Sequence, residues 1–205
     1  MQDFEPTQPS AAKSNGTWKW LALGCGGCLG LSVLSIVVLT VFFSRALNFS
    51  IDPENVEQQA QELFEYEIPG ETRGLLNMNV MGVELAQVAD AQDPPGVLLT
   101  VGRLPAYLQD EAAQTSMLDS FQESMSQEGE YTAETQRTEN LPLCGQTVPV
   151  RIEEGTFRSA DQVLQSVSYL AAVDYAGTNR FAWVLANGEQ AETNARAVFD
   201  SLVCK

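Results

Sequence analysis

The chain has 205 residues, a formal net charge of −16 and no histidine. Histidine-based acid–base catalysis, histidine metal ligation and the usual near-neutral proton switch are therefore excluded. A field of this sign also repels phosphate backbones, which excludes nucleic acid as a direct partner.

Residues 1–17 are rich in Gln, Pro, Ser, Ala and Asn, show no hydrophobic period and read as a disordered tail. Residues 18–45 read as a transmembrane helix. No charged side chain lies between Lys19 and Arg45. The 25 uncharged residues between them would span about 37 Å as a helix, enough to cross a bilayer with some tilt. Trp18 and Trp20 fit a headgroup belt, with Lys19 snorkelling between them. Ser44-Arg45-Ala46 loosely resembles a signal cleavage site, but the apolar run is longer than a signal h-region. Lys13 and Lys19 precede the run and only Arg45 follows it closely. This bias places the N-terminus in the cytoplasm and residues 46–205 outside, as a single-pass membrane protein.

Within the apolar run, Ala22, Gly26 and Gly30 repeat every four residues and put three small side chains on one helix face. Such a face lets two membrane helices approach closely, so self-association is one expected partner contact besides the bilayer itself. Cys25 and Cys28 have C-x-x-C spacing, but no second pair accompanies them, and they read as small packing residues.

Beyond residue 45 the chain carries eight basic and 25 acidic residues. Asp52-Pro53-Glu54 reads as a helix start, with Asp52 as N-cap, and the helix should run to about Tyr66. Ile68-Pro69-Gly70 stops it. Strands follow through Leu76–Val80, Val83–Ala89 and Val97–Leu104, with a turn at Asp93-Pro94-Pro95-Gly96. Asp110–Gln127 returns to helical spacing, with Ala113, Met117, Leu118, Phe121 and Met125 on one stripe. Tyr131–Glu139 alternates weakly. Val148, Val150 and Ile152 alternate clearly. Val163–Val173 and Arg180–Ala186 read as strands joined by a hairpin, and Glu189–Val203 as a final helix. Strands joined by short turns are antiparallel and each helix has one apolar face to bury, which gives an α+β domain over residues 46–205.

Tyr66-Glu-Ile-Pro69-Gly70, Cys144-Gly145-Gln146-Thr147-Val148-Pro149-Val150 and Phe199-Asp200-Ser201-Leu202 resemble the PsbP-like fold, an α/β/α sandwich shared by many bacterial envelope proteins. Asp52 to Glu57 and Ile68-Pro69, behind a Gly/Cys-rich membrane helix, are similar to a group of bacterial single-pass membrane proteins. The resemblance covers roughly residues 52–204 and implies an antiparallel sheet packed with helices and preceded by one transmembrane helix. It also implies a non-enzymatic binding or assembly role, and it transfers no functional residues.

Candidate sites are few. Cys144 and Cys204 are the domain's only cysteines, and an extracytoplasmic setting would favour a bridge between them over two buried thiols. Glu128, Glu130, Glu134, Glu139 and the pair Glu153-Glu154 form acidic stretches that could bind calcium, but no EF-hand loop is present and solvated strands and turns account for them. Trp183 and Tyr169 could line a ligand cleft or pack in the core. No P-loop, dinucleotide fingerprint or nucleophile elbow occurs, so no catalytic residue, metal ligand or cofactor is assigned. The expected function is a membrane-tethered, extracytoplasmic, non-catalytic binding or assembly module. The alternatives are a structural membrane protein that oligomerises through its helix, or a hydrolase using carboxylates such as Glu153 and Glu154.

Overall fold

The computed structural model describes residues 47–80, 82–105, 116, 120, 131–159 and 162–205. The transmembrane helix over 18–45, its Ala22–Gly26–Gly30 face, and all of the helix expected at 110–127 save residues 116 and 120 lie outside them. The chain divides into two units, Met1–Arg45 and Ala46–Lys205, and every described residue belongs to the second. Among the described residues, no helix is long and apolar enough to cross a membrane.

The strands are β1 (Leu47–Ser50), β2 (Phe64–Glu65), β3 (Thr72–Val80), β4 (Val83–Asp90), β5 (Val97–Leu104), β6 (Tyr131–Leu143), β7 (Gln146–Ser159), β8 (Gln162–Tyr175), β9 (Thr178–Asn187) and β10 (Val203–Cys204). The helices described over their full length are α1 (Pro53–Leu63) and α2 (Ala191–Asp200). Eight strands form one sheet in the order β1-β3-β4-β5-β9-β8-β7-β6, and every neighbouring pair is antiparallel. Two meanders, β3-β4-β5 and β6-β7-β8-β9, meet where β5 pairs with β9.

This overturns the expected α+β, PsbP-like α/β/α sandwich. The described residues are dominated by strand, and α1 and α2 pack on the same face of the sheet. Val56, Ala60 and Leu63 of α1 and Ala191, Ala195, Val198 and Phe199 of α2 share a cluster with Val88, Leu99, Val101, Val184 and Tyr169. The opposite face holds its own cluster, including Leu85, Leu104, Tyr131, Leu170, Phe181, Trp183 and Leu185. The physical reason lies in the polar stretches. Residues 131–143 alternate weakly and 146–159 clearly only from Val148 to Ile152, so neither advertises a strand of 13 or 14 residues, yet their backbones pair along nearly the whole length. Conversely, Phe181 to Asn187 is almost continuously apolar because β9 is central and buried on both faces.

Local signals explain the ends. The Asp52 carboxylate accepts the Glu54 amide at 3.2 Å and Pro53 opens α1. The helix stops at Leu63 because Phe64 and Glu65 leave it to pair with Cys204 and Val203. For the same reason α2 ends at Asp200 and not at Val203. α1 sits close on the sheet because Gly74 has no side chain; a Cβ there would lie 2.4 Å from the Pro53 carbonyl oxygen.

Candidate functional site: a recess on the face opposite α1 and α2

A cavity with an aromatic lining opens on the face away from α1 and α2, with a volume of about 340 Å³. Its floor is Trp183 and Leu185 of β9 with Tyr131 of β6, and each exposes at most 2% of its surface. Leu75, Leu98 and Phe157 form apolar walls, and Asp93, Pro94 and Pro95 overhang one side. Gln87, Ser159 and Asn187 supply polar atoms at the margin.

Register assembles this set. Leu98 stands opposite Leu185, Thr100 opposite Trp183, and Tyr131 opposite Phe157. Alternate side chains share a face, so Trp183 and Leu185 point together toward the recess. The 93–95 overhang is held by two buried polar residues. The Asp90 carboxylate accepts the Gly96 amide at 3.0 and 3.1 Å through its two oxygens, and also the Gln92 side-chain amide at 3.2 Å. Asn187 donates through Nδ2 to the Pro95 carbonyl at 2.9 Å and accepts from Ser166 Oγ at 2.7 Å. The Asn187 amide also donates to the Gly96 carbonyl at 2.8 Å. Asn187 therefore serves as a structural pin whose side-chain donor and acceptor are both engaged.

Burial pushes the Tyr131 hydroxyl pKa up to about 12; the Ser168 hydroxyl at 3.5 Å opposes the rise and Glu153 adds to it. At neutral pH the hydroxyl is thus a protonated group, able to donate. Asp93 is the one formally charged side chain among the described lining residues. The recess is suited to a compact aliphatic or aromatic group carrying a neutral or cationic polar end.

The sequence-derived candidates fall out differently. Cys144 and Cys204 are joined in a disulfide with a Cα–Cα distance of 5.1 Å. Cys144 and Gly145, at φ 53° and 76°, form the two-residue turn between β6 and β7, so the bridge ties that hairpin tip to β10. Trp183 lines the recess, but Tyr169 does not. Tyr169 pairs with Val184 and Leu170 with Trp183, so one residue of register puts the two rings on opposite faces. Tyr169 faces α2, where its hydroxyl donates to Glu192 at 2.8 Å.

Glu153 and Glu154 also part company, being adjacent in a strand. Glu153 is buried beside Tyr131 and 3.9 Å from Arg151. Glu154 pairs on the helix side with Arg137, which also meets Glu139 at 2.9 Å and Glu192 at 3.3 Å. Hydrogen bonding to Glu139 first, and to Glu154, holds the Arg137 pKa above its ordinary value. Glu134 borders a polar hollow near this network. Glu128 and Glu130 lie outside the described residues. Among the described residues, no group of three or more carboxylates or thiols is placed to hold a metal ion.

Sequence reasoning missed Leu98, Tyr131 and Phe157 as partners of Trp183. They come from separate strands, and no local spacing connects them.

No family model matches the chain, and no curated protein matches it. Among solved structures it is similar to the crystal structure of LpqN, involved in cell envelope biogenesis of Mycobacterium tuberculosis. The identity is 8%, the match covers 68% of this chain and 82% of that one, and the TM-score is 0.31. A likeness at that level carries no argument about the activity or ligand of this chain.

Proposed function

We propose that this chain is a membrane-tethered, extracytoplasmic, non-catalytic binding module, and that the recess over Trp183 is where it binds. The tether is read from the uncharged stretch between Lys19 and Arg45 and the side of the membrane from the lysines before it. The observation that carries the binding reading is the recess itself. It joins an aromatic floor, apolar walls from separate strands and an overhang pinned by Asp90 and Asn187. A concavity of this size with few polar groups accepts a small molecule or the end of a larger one. The disulfide between Cys144 and Cys204 is in keeping with an oxidising compartment.

The test uses the full chain in lipid nanodiscs, labelled at its three tryptophans, with p-cresol as an aromatic probe. A saturable shift of the Trp183 indole signal, unmatched at Trp18 and Trp20 and abolished by Leu98→Trp, is expected. A linear, non-saturating response at all three would overturn the reading.

A further inference from the structure

We propose that the outer edge of β6 pairs with the same edge of a second copy of this chain, antiparallel, about a two-fold axis through Thr138. β6 ends the eight-strand order; among the described residues only β7 pairs with it. It has 13 residues, about 44 Å of strand, which is long for an edge left bare.

The hairpin fixes which residues face outward. Leu143 and Gln146 flank the two-residue turn and are register partners. They form the hydrogen-bonded pair that closes such a hairpin. Counting back by twos, Leu141, Glu139, Arg137 and Thr135 turn their amides and carbonyls toward β7. Pro142, Asn140, Thr138 and Gln136 turn theirs outward. Pro142, with no N–H to offer, stands at an outward position, where an edge strand tolerates it. At the other end the register with β7 shifts between Ala133 and Thr135. The usable edge is therefore Thr135 to Leu141, Thr-Gln-Arg-Thr-Glu-Asn-Leu.

This window is self-complementary in one register. A symmetric antiparallel pair must set outward residues opposite outward residues, so its axis passes through a residue and not between two. With the axis at Thr138, Gln136 meets Asn140 of the second copy, Thr135 meets Leu141, and Arg137 meets Glu139 twice. With the axis at Arg137 or Glu139, a charge faces its own copy. With the axis at Gln136 or Asn140, neither charge meets an opposite one. The window has no net charge in a chain whose net charge is −16, so this edge escapes the repulsion that the rest of the surface would impose. Gln136, Thr138 and Asn140 are exposed, and the Arg137 and Glu139 side chains keep 39% and 40% of their surface open. The ion-pair network on the α2 side would then run continuously across the axis. Pairing of one strand edge is a modest interface, and confinement to a membrane would raise the effective concentration that it needs.

The test uses the full chain in nanodiscs loaded with two copies, in a Cys25→Ser/Cys28→Ser background. Thr138→Cys is expected to give a covalent dimer with a short thiol cross-linker. Gln136→Cys alone is not, because its copies would lie four residues apart; Gln136→Cys mixed with Asn140→Cys is. Arg137→Glu should lower the cross-linked fraction about tenfold through two like-charge pairs, and Arg137→Glu/Glu139→Arg should restore it. Thr138→Pro removes only an outward amide and should weaken association, read by concentration-dependent mass in detergent. Equal cross-linking at Thr138 and Gln136 would overturn the proposal. So would charge reversal that is not rescued by the double exchange, or a Thr138→Pro chain that associates as the parent does.

Discussion

The ring of Phe181 lies across the bare Cα of Gly102, its register partner on β5. A Cβ at Gly102 would sit 2.3 Å from the Phe181 ring and 2.5 Å from the Glu84 carbonyl. The ring covers the strand where the missing side chain leaves a gap. Gly102→Ala should therefore lower stability by about 1–3 kcal/mol, as overpacking does. Phe181→Leu opens space at the same spot, so the double variant should lose less than the sum of the two single losses. Urea unfolding of the four proteins measures this coupling; simple additivity would show that the ring does not confine position 102.

Arg180 makes a second long-range tie. It is buried on the helix side, donates to the Leu63 carbonyl at the end of α1, and lies 5.1 Å from the Tyr175 ring centre. Burial, then the nearby Arg103, pulls its pKa below the ordinary value. A cation at this helix terminus complements the dipole, since α1 has no basic residue in its last turn. Arg180→Ala loses a charge-assisted hydrogen bond and leaves a void, which should cost about 3 kcal/mol. Arg180→Met keeps most of the volume and removes a buried charge, so it should cost about 1 kcal/mol. Urea midpoints separate the two, and amide exchange at Glu65 and Val203 should quicken in both, because α1 runs directly into the β2–β10 pair. Equal midpoints for the two variants would show that packing at Arg180 matters little.

How far the sequence led depends on whether a signal was local. The cap at Asp52 and the hairpin at Tyr175–Thr178 are short-range chemistry, and they stand in the structure close to where the residues put them, whereas α1 ends at Leu63, ahead of the Ile68 stop, because of the long-range β2–β10 pairing. Faces were harder. Leu76 and Met78 alternate with Asn77 and Asn79, which marks a strand. Asn77 is the buried one, paired in register with Ala86 of the helix-side core and accepting the Ser50 amide at 3.0 Å. With both faces covered, period-two spacing names a strand but not its inward side. The recess was the least legible feature. Its residues lie on separate strands, and the meeting of β5 with β9 that gathers them is a long-range pairing. The role of Asn187 as a pin depends on Pro95, 92 residues away.

Alkaline pH should expose the buried phenols. Tyr66, Tyr131 and Tyr169 are each pushed up to about 12, with burial as the leading cause. Below about pH 9 these groups are protonated in both folded and unfolded chains and contribute no slope. Above about pH 10 the unfolded chain releases protons that the folded chain keeps, so stability must fall as pH rises toward 12. Tyr131→Phe should flatten this decline, by up to about 2–3 kcal/mol for a shift of two units. Urea midpoints for parent and variant at about pH 8 and pH 11 test it; parallel declines would show that Tyr131 ionises freely in the fold.

The bridge between Cys144 and Cys204 joins the β6–β7 tip to a residue of the helix-side cluster. It closes a loop with a sequence separation of 60, worth about 4 kcal/mol in the chain-entropy model. Its effect is concentrated at one end of the molecule. β10 is only two residues long, held by pairing with β2, by the Lys205 amide to the Leu63 carbonyl at 3.3 Å, and by the bridge to the β6–β7 tip. Without the bridge, β10 should detach before the sheet melts, since Leu202 and Phe199 remain anchored in the helix-side cluster. Cys144→Ser/Cys204→Ser should thus lower the unfolding free energy by about 4 kcal/mol, with the first gain in amide exchange at Glu65 and Val203 and the recess around Trp183 unchanged. An unshifted urea midpoint would mean that the unfolded chain is already constrained between these residues. Early exchange across β8 and β9 would mean instead that the bridge supports the whole sheet and not its corner.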